Sequence, residues 1–527
     1  MSIATNHFNR IRFRSPLPIF GIAVLTAAGG LIAGRGNTVE AQTPTPVMVE
    51  PNLAVRTEIS GLITPIGIAF VGPNDMLVIE KNTGQVQRVV DGAVHSTVLD
   101  LGVNNASERG LLGIALHPNF PTDPGVYLYW TCRATVPPDD NPFEPEEPEC
   151  TDEPTLGADS IDVLEVPLLG NRVDRFTWDG SQLIYDHNLI KLLAFQNDAA
   201  PEPPGQGDGS QPPRGNHDGG VIAFGPDGKL YVMVGDVGRR GQMQNLPSGP
   251  TATGLGPQVA DDQFGGPQPD AAHFGGVIVR LNDDGSTPAS NPFGNHVDAN
   301  IRKIYAYGIR NSFGMAFDPV SGALWQQENG EDAFDEINRV ERGMNSGWIQ
   351  FMGPSNRIAE YRLIETTSLH HEAVPNLQQL RWPPERIATT ASDGLSRLFM
   401  IPGSHYSEPE FSWKHVLAPA AIGFLNSRKL GPQFFGDLFV GFSTTDTLGG
   451  PLFRMQLTGN RRRIAVDDPR LEDRVADNLD FHDITESESL VIGRDFGIIT
   501  DIKTGPSGEL FVVSLDQGAV YEIFRRR

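Results

Sequence analysis

The sequence predicts an all-β protein: a six-bladed β-propeller of four-stranded antiparallel blades with long inserted loops. Three observations predict it. A single supersecondary unit recurs six times: a strand of small and apolar residues, a Pro/Gly turn, then an aliphatic-aromatic strand. No long amphipathic helix separates the recurrences, and radial repetition of four-stranded units is how propellers are built. Glycine (58) and proline (42) make up about a fifth of the 527 residues, short of a disordered composition and suited to many short strands joined by turns.

The chain opens with Arg10, Arg12 and Arg14, an apolar run over 17–33, and the small-residue sequence Val39-Glu40-Ala41. This order reads as an export signal cleaved near residue 41. The run is short and rich in Gly and Ala for a membrane span. The expectation is an exported protein, periplasmic or extracellular, without stable membrane insertion. Residues 42–54 read as a linker and 55–527 as a single propeller domain.

The first unit is 63–70, the turn Gly72-Pro73-Asn74-Asp75, and 76–80. The second is 109–116 followed by 126–130. The third is 221–224, Gly225-Pro226-Asp227-Gly228, and 230–234, where Pro presets φ, Asp caps the turn and Gly takes the positive φ. The fourth is 314–317, the turn 318–322, and 323–325. The fifth, weaker, is 436–441 with 452–456. The sixth is 499–502, Gly505-Pro506-Ser507-Gly508, and 509–514. Loops inserted at 201–213 and 241–272 make the spacing irregular, and 351–413 reads as a long excursion between blades. The only two cysteines, Cys132 and Cys150, lie in one acidic, proline-rich insertion and read as a disulfide staple in an exported chain.

With 41 Lys and Arg against 65 Asp and Glu, the formal net charge is −24. That balance argues against nucleic acid, whose phosphates require a basic face.

The chemistry-bearing residues stand at strand ends. His217 and Asp236 flank the third hairpin, whose outer ends lie side by side, the makings of an imidazole oriented by a carboxylate as a general base. The competing reading of His217 is a loop histidine bonded to backbone. Glu108-Arg109 precede the second unit, Arg310-Asn311 precede the fourth, and Glu328-Asn329-Gly330-Glu331-Asp332 follow it. In a radial fold these ends share one rim, which would suit an anionic or oxygen-rich ligand with Arg310 as a fixed donor fork. The competing reading of 328–332 is a solvated turn.

Four stretches carry a resemblance: Glu108-Arg-Gly-Leu-Leu-Gly-Ile-Ala-Leu-His-Pro-Asn-Phe120, Gly215-Asn-His-Asp-Gly-Gly220, Gly308-Ile-Arg-Asn311 and Glu328-Asn-Gly-Glu-Asp-Ala-Phe-Asp-Glu-Ile-Asn338. They resemble the glucose/sorbosone dehydrogenase family, exported aldose dehydrogenases that use pyrroloquinoline quinone (PQQ) on a six-bladed propeller. The resemblance spans residues 55–525. It implies oxidation of the anomeric hydroxyl of an aldose to the lactone, with electrons passed to an external acceptor. It implies that His217 is the base, Asp236 its orienting partner, and Arg310 the group that stabilises charge on the cofactor. Asn311 and Asn329 would contact the cofactor, and Glu108 stands where the family has a glutamine near the sugar. Gly330 and Glu331 match positions whose backbone carbonyls hold calcium. The family's Arg-x-Arg-Asp run is replaced here by Ile498-Ile499-Thr500-Asp501, so Arg494, Arg428 or a residue of the 351–413 excursion would have to supply the missing positive charge, and the family's cofactor-binding lysine would fall near Arg428 or Lys429. Two other classes stay open: a non-catalytic propeller that binds a carbohydrate or protein, and a calcium-dependent lactone hydrolase.

Overall fold

Alternate residues of one strand pack against two different neighbours, and that is what builds the ring. In Leu230–Val234, Leu230, Val232 and Val234 join an apolar cluster with Leu112, Tyr129 and Val173 of the preceding sheet. Tyr231 and Met233 of the same strand join Met315, Leu324 and Val340 of the following one. Side chains alternate across a strand, so a sheet buried on both faces reads as a continuous apolar run, as this strand does.

A computed structural model describes residues 45–105, 108–132, 170–194, 217–237, 274–367 and 384–526. They form six sheets in a β-propeller arrangement. In chain order the sheets begin with the strands Pro65–Gly72, Leu111–Leu116, Ile222–Phe224, Met315–Phe317, Pro419–Phe424 and Ile499–Thr504. Each first strand touches the first strand of the next sheet, and Ile499–Thr504 touches Pro65–Gly72, so the contacts close on themselves. The last sheet is completed by the chain's beginning: Leu53–Ser60 pairs antiparallel with Ala519–Arg525. Residues Thr43–Arg527 form one compact unit.

Several expectations are corrected. The blades are not uniformly four-stranded, since three sheets have four strands and the others five or six. The third sheet gains Met344–Asn345 and His405–Tyr406, the fourth Val475–Ala476, and the fifth Val47–Met48 and Ile464–Ala465. Short segments from the loops thus cover sheet edges that would otherwise expose unpaired backbone. The fifth unit was displaced by one strand: Leu438–Phe442 and Leu452–Leu457 are second and third in their sheet, and Pro419–Phe424 is first. That strand is followed by a long loop instead of a Pro/Gly turn, so the recurring signal is missing. The 42–54 stretch is not all linker, for Val47–Met48 pairs with Val491–Arg494. The 351–413 excursion holds the helices Ile358–Thr367 and Ala391–Arg397.

Cys132 is disulfide-bonded, while Cys150, its expected partner, lies outside the described residues, as does the expected export signal. No helix among the described residues is long and apolar enough to cross a membrane.

Candidate active site

The third hairpin brings its ends together as the sequence implies. The imidazole Nδ1 of His217 lies 2.6 Å from Asp236 Oδ1, with both residues buried. The indole N–H of Trp348 donates to the other oxygen, Asp236 Oδ2, at 2.9 Å. Both oxygens of Asp236 are thus engaged, which fixes its plane and with it the ring of His217. A carboxylate on Nδ1 favours the tautomer that leaves Nε2 as the basic nitrogen.

His217 holds φ at 59°, a left-handed conformation that costs a non-glycine residue roughly 1–2 kcal/mol. Close packing enforces it. A Cβ on Gly235 would stand 2.1 Å from the carbonyl oxygen of His217 and 2.8 Å from Asn311 Oδ1, so only glycine lets the strand end reach the histidine loop. Glu108 Oε2 accepts the backbone N–H of His217 at 2.6 Å and the Asn311 amide at 3.1 Å. One carboxylate oxygen therefore ties the second, third and fourth sheets together at the rim.

Arg310 occupies the centre. Its carbonyl accepts the Asp236 N–H at 2.8 Å and its own N–H donates to Glu328 Oε1 at 2.7 Å. Its guanidinium donates to the Asn329 carbonyl at 3.0 Å, lies 3.6 Å from the Glu331 carboxylate, and sits 5.5 Å above the Trp348 ring. Its Nε is buried without a partner among the described residues, and so is Asn329 Oδ1. Buried polar atoms are rarely left unsatisfied, and these two mark a place where a polar ligand group would be held. Asn329 is otherwise fixed, its N–H on the Asn311 carbonyl and its side-chain amide on the Pro419 carbonyl at 2.8 Å. The Gly330 N–H donates to Asp335 Oδ1 at 2.8 Å.

The expected site residues His217, Asp236, Arg310, Glu108, Asn311, Asn329 and Glu331 are thus linked in one network, with Gly330 at its edge. Sequence reasoning missed Trp348, which lies between units and carries no repeat signal. It named Glu328 and Glu336 in one polar stretch but not their burial together behind Arg310. Glu328 and Glu336 face each other across paired strands, and the Asn338 amide bridges them at 3.2 and 2.9 Å. Burial pushes Glu328 up to about 8 and raises Glu336 well above the usual carboxylate range. Burial also pushes Asp335 up to about 6 and Asp218 up to about 7. Lys81, beside Glu108, is lowered to about 8, again by burial, against the pull of Glu108 and Asp218.

Two of the expected substitutes for the missing arginines, Arg428 and Arg494, are elsewhere, and so is Lys429, the other position where the family's lysine would fall. Lys429 pairs with Glu509 beside the Gly505-to-Gly508 turn, the far end of the last hairpin, and Arg428 stacks on Phe435. Arg494 lies on an outer strand, exposed and beside Asp495. At the near end of that hairpin, Thr500 donates its hydroxyl to the Pro65 carbonyl at 3.4 Å, and Asp501 accepts the Ile68 N–H at 3.0 Å. These two side chains bond backbone of the first sheet. Among the described residues, no group of three or more His, Cys, Asp or Glu side chains is arranged to hold a metal.

Comparison with known proteins places this geometry in context. The model of the glucose / sorbosone dehydrogenase family matches residues 62–141 and 208–368, which include every residue of the network above. Quinoprotein glucose dehydrogenase B of Acinetobacter calcoaceticus is 29% identical over 315 residues, 57% of this chain and 53% of that protein. Aldose sugar dehydrogenase YliI of Escherichia coli is 27% identical over 300 residues, 57% of each chain. The match therefore spans somewhat over half the length of each of these two relatives. The PQQ-bound aldose sugar dehydrogenase of Streptomyces coelicolor superposes with a TM-score of 0.50 at 21% identity, covering 90% of this chain and 98% of that one, a likeness of fold.

Proposed function

The chain belongs to the glucose/sorbosone dehydrogenase family, and from that premise we propose that it is an exported, PQQ- and calcium-dependent oxidoreductase that oxidises the anomeric hydroxyl of an aldose to the lactone. The single observation that carries this reading is the buried His217–Asp236 pair, 2.6 Å apart, with Arg310 joined to Asp236 through its backbone.

The residues present fit an anionic, oxygen-rich cofactor at the Arg310 end. Arg310 offers its unpartnered Nε–H to such a group, and Asn311 is held nearby by its amide bond to Glu108. Lys81 is the further cation beside Glu108. The carbonyls of Gly330 and Glu331, with Asn329 Oδ1, are the oxygen donors a hard cation such as calcium prefers. When bound, the quinone supplies the hydride acceptor that no side chain can provide.

The protein's own work is then proton transfer and placement. His217 Nε2 takes the proton of the anomeric hydroxyl, and Asp236 stabilises the imidazolium so formed. Trp348 and the buried packing keep water from competing for Asp236. The half-buried Glu108 offers its second oxygen to a sugar hydroxyl. Arg310 is held by Asn329 and Trp348 so that its fixed charge needs no reorganisation during the reaction.

Reconstitution tests the reading. Purified protein is titrated with PQQ in the presence of calcium, followed by absorbance, then offered a panel of aldoses and a redox dye. Saturable binding with sugar-dependent dye reduction is expected. A folded, calcium-loaded protein that binds no quinone would defeat it. One observation favours a second reading, a propeller that binds a carbohydrate without oxidising it: Thr500 and Asp501 occupy the near end of the last sheet with backbone bonds in place of cationic side chains. Sugar binding without quinone binding would establish that alternative.

A further inference from the structure

The left-handed conformation of His217 is held from the neighbouring sheet as well as from its own. Asp218, the next residue, is wholly buried and is gripped at two points. Its carbonyl accepts the Tyr129 hydroxyl at 2.9 Å, and its Oδ1 accepts the side-chain amide of Asn171 at 2.9 Å. The other side-chain atom of Asn171, Oδ1, accepts the Thr131 hydroxyl at 2.5 Å. Thr131 Oγ1 in turn accepts the Gly110 N–H at 3.2 Å, two residues from Glu108. Tyr129 and Thr131 lie on Gly125–Thr131 and Asn171 on Gly170–Trp178, directly paired at Thr131 and Asn171. All four side chains are buried to 99 % or more.

We propose that Asn171 is a positioning residue for the catalytic base: with Tyr129 and Thr131 it forms a strut from the second sheet that, through Asp218, holds the His217 ring in register with Asp236. The inference deepens the proposed function and rests on His217 being the base. The chemistry favours Asn171 over a residue of one polarity, because its position needs a donor toward Asp218 and an acceptor for Thr131 at once. A strained residue keeps its conformation only when its surroundings over-determine it. The Glu108 bond fixes the amide of His217, and the strut fixes the residue after it. The charged groups facing Asp218 are Glu108, Arg109 and Lys81, with Asn171 and Tyr129 as its hydrogen-bond partners.

The test uses the full chain with PQQ and calcium and two variants, Asn171→Ala and Tyr129→Phe. Misplacing a base by a fraction of an ångström should lower kcat by about tenfold or more for Asn171→Ala and about threefold for Tyr129→Phe. KM for the sugar should stay within about twofold, and the acid limb of the kcat/KM profile should move, because the ring's bond to Asp236 loosens. In the protein without cofactor, the His217 ring proton bonded to Asp236 should shift or broaden in the NMR spectrum of both variants. Wild-type kcat and pH profile in both variants overturn the proposal. Should Asn171→Ala fail to fold, Tyr129→Phe decides on the same readouts. If His217→Ala turns over normally, the base assignment itself has failed. The ring signal then decides: unchanged in the variants, it overturns the strut, and shifted, it upholds it.

Discussion

At the scale of residues, the site is a set of polar atoms that share partners across sheets. Asp236 is shared between His217 and Trp348, and Glu108 Oε2 between His217 and Asn311. Removing the base should therefore cost more than removing its supports. His217→Ala is expected to lower kcat by about 10²–10⁴-fold with PQQ still bound, the range for losing a general base. Unchanged turnover would refute the assignment. Trp348→Phe keeps the ring beneath Arg310 but removes the bond that the buried Asp236 Oδ2 accepts from the indole, at a cost of roughly 1–3 kcal/mol. Steady-state kinetics should show a smaller fall in kcat than for His217→Ala, and thermal melting should show a lower midpoint.

At the scale of elements, what matters is how closely hairpin ends approach. Gly235 ends the strand that carries Asp236 into the site, and a methyl there would overlap the His217 carbonyl. Gly235→Ala should therefore push the two ends apart, destabilising the fold by about 1–3 kcal/mol as overpacking does and reducing turnover. The check is urea unfolding beside a kcat measurement; a variant with wild-type values would show that the hairpin has slack. The same closeness explains which elements could be read in advance. Five of the six units were recognised at their first strand, because a Pro/Gly turn follows it. Pro419–Phe424 was not, because its turn is replaced by the loop to Leu438.

At the scale of the molecule, burial of acids against a net charge of −24 sets a pH dependence. Asp335 at about 6, Asp218 at about 7 and Glu328 at about 8 hold protons in the folded state that the unfolded chain has already released. The folded state binds more protons in this window, so its stability falls as pH rises from about 4.5 to about 8, by up to about 1.4 kcal/mol per pH unit for each group titrating. Chemical denaturation of the cofactor-free protein across that range should show the decline. A rise of stability with pH would contradict it. Asp218→Asn should flatten the part of the curve below about 7.

The sequence by itself determined the all-β class, the recurring hairpins, and the nearness of His217 to Asp236, because turn chemistry and strand alternation are local and a hairpin brings its own ends together; that the two side chains bond each other was decided by the structure. The sequence also marked Arg310, Asn311 and Asn329, which flank another hairpin. Only the tertiary structure decided which distant groups complete the site: Trp348 on Asp236, Glu108 across three sheets, the Glu328–Glu336 pair behind Arg310, and Asn171 behind His217. It also placed Arg428, Lys429 and Arg494 away from the network. Those relations depend on which sheets become neighbours and which strand ends face the same rim, and in a ring closed by the chain's own first long strand that is fixed by packing among residues hundreds of positions apart.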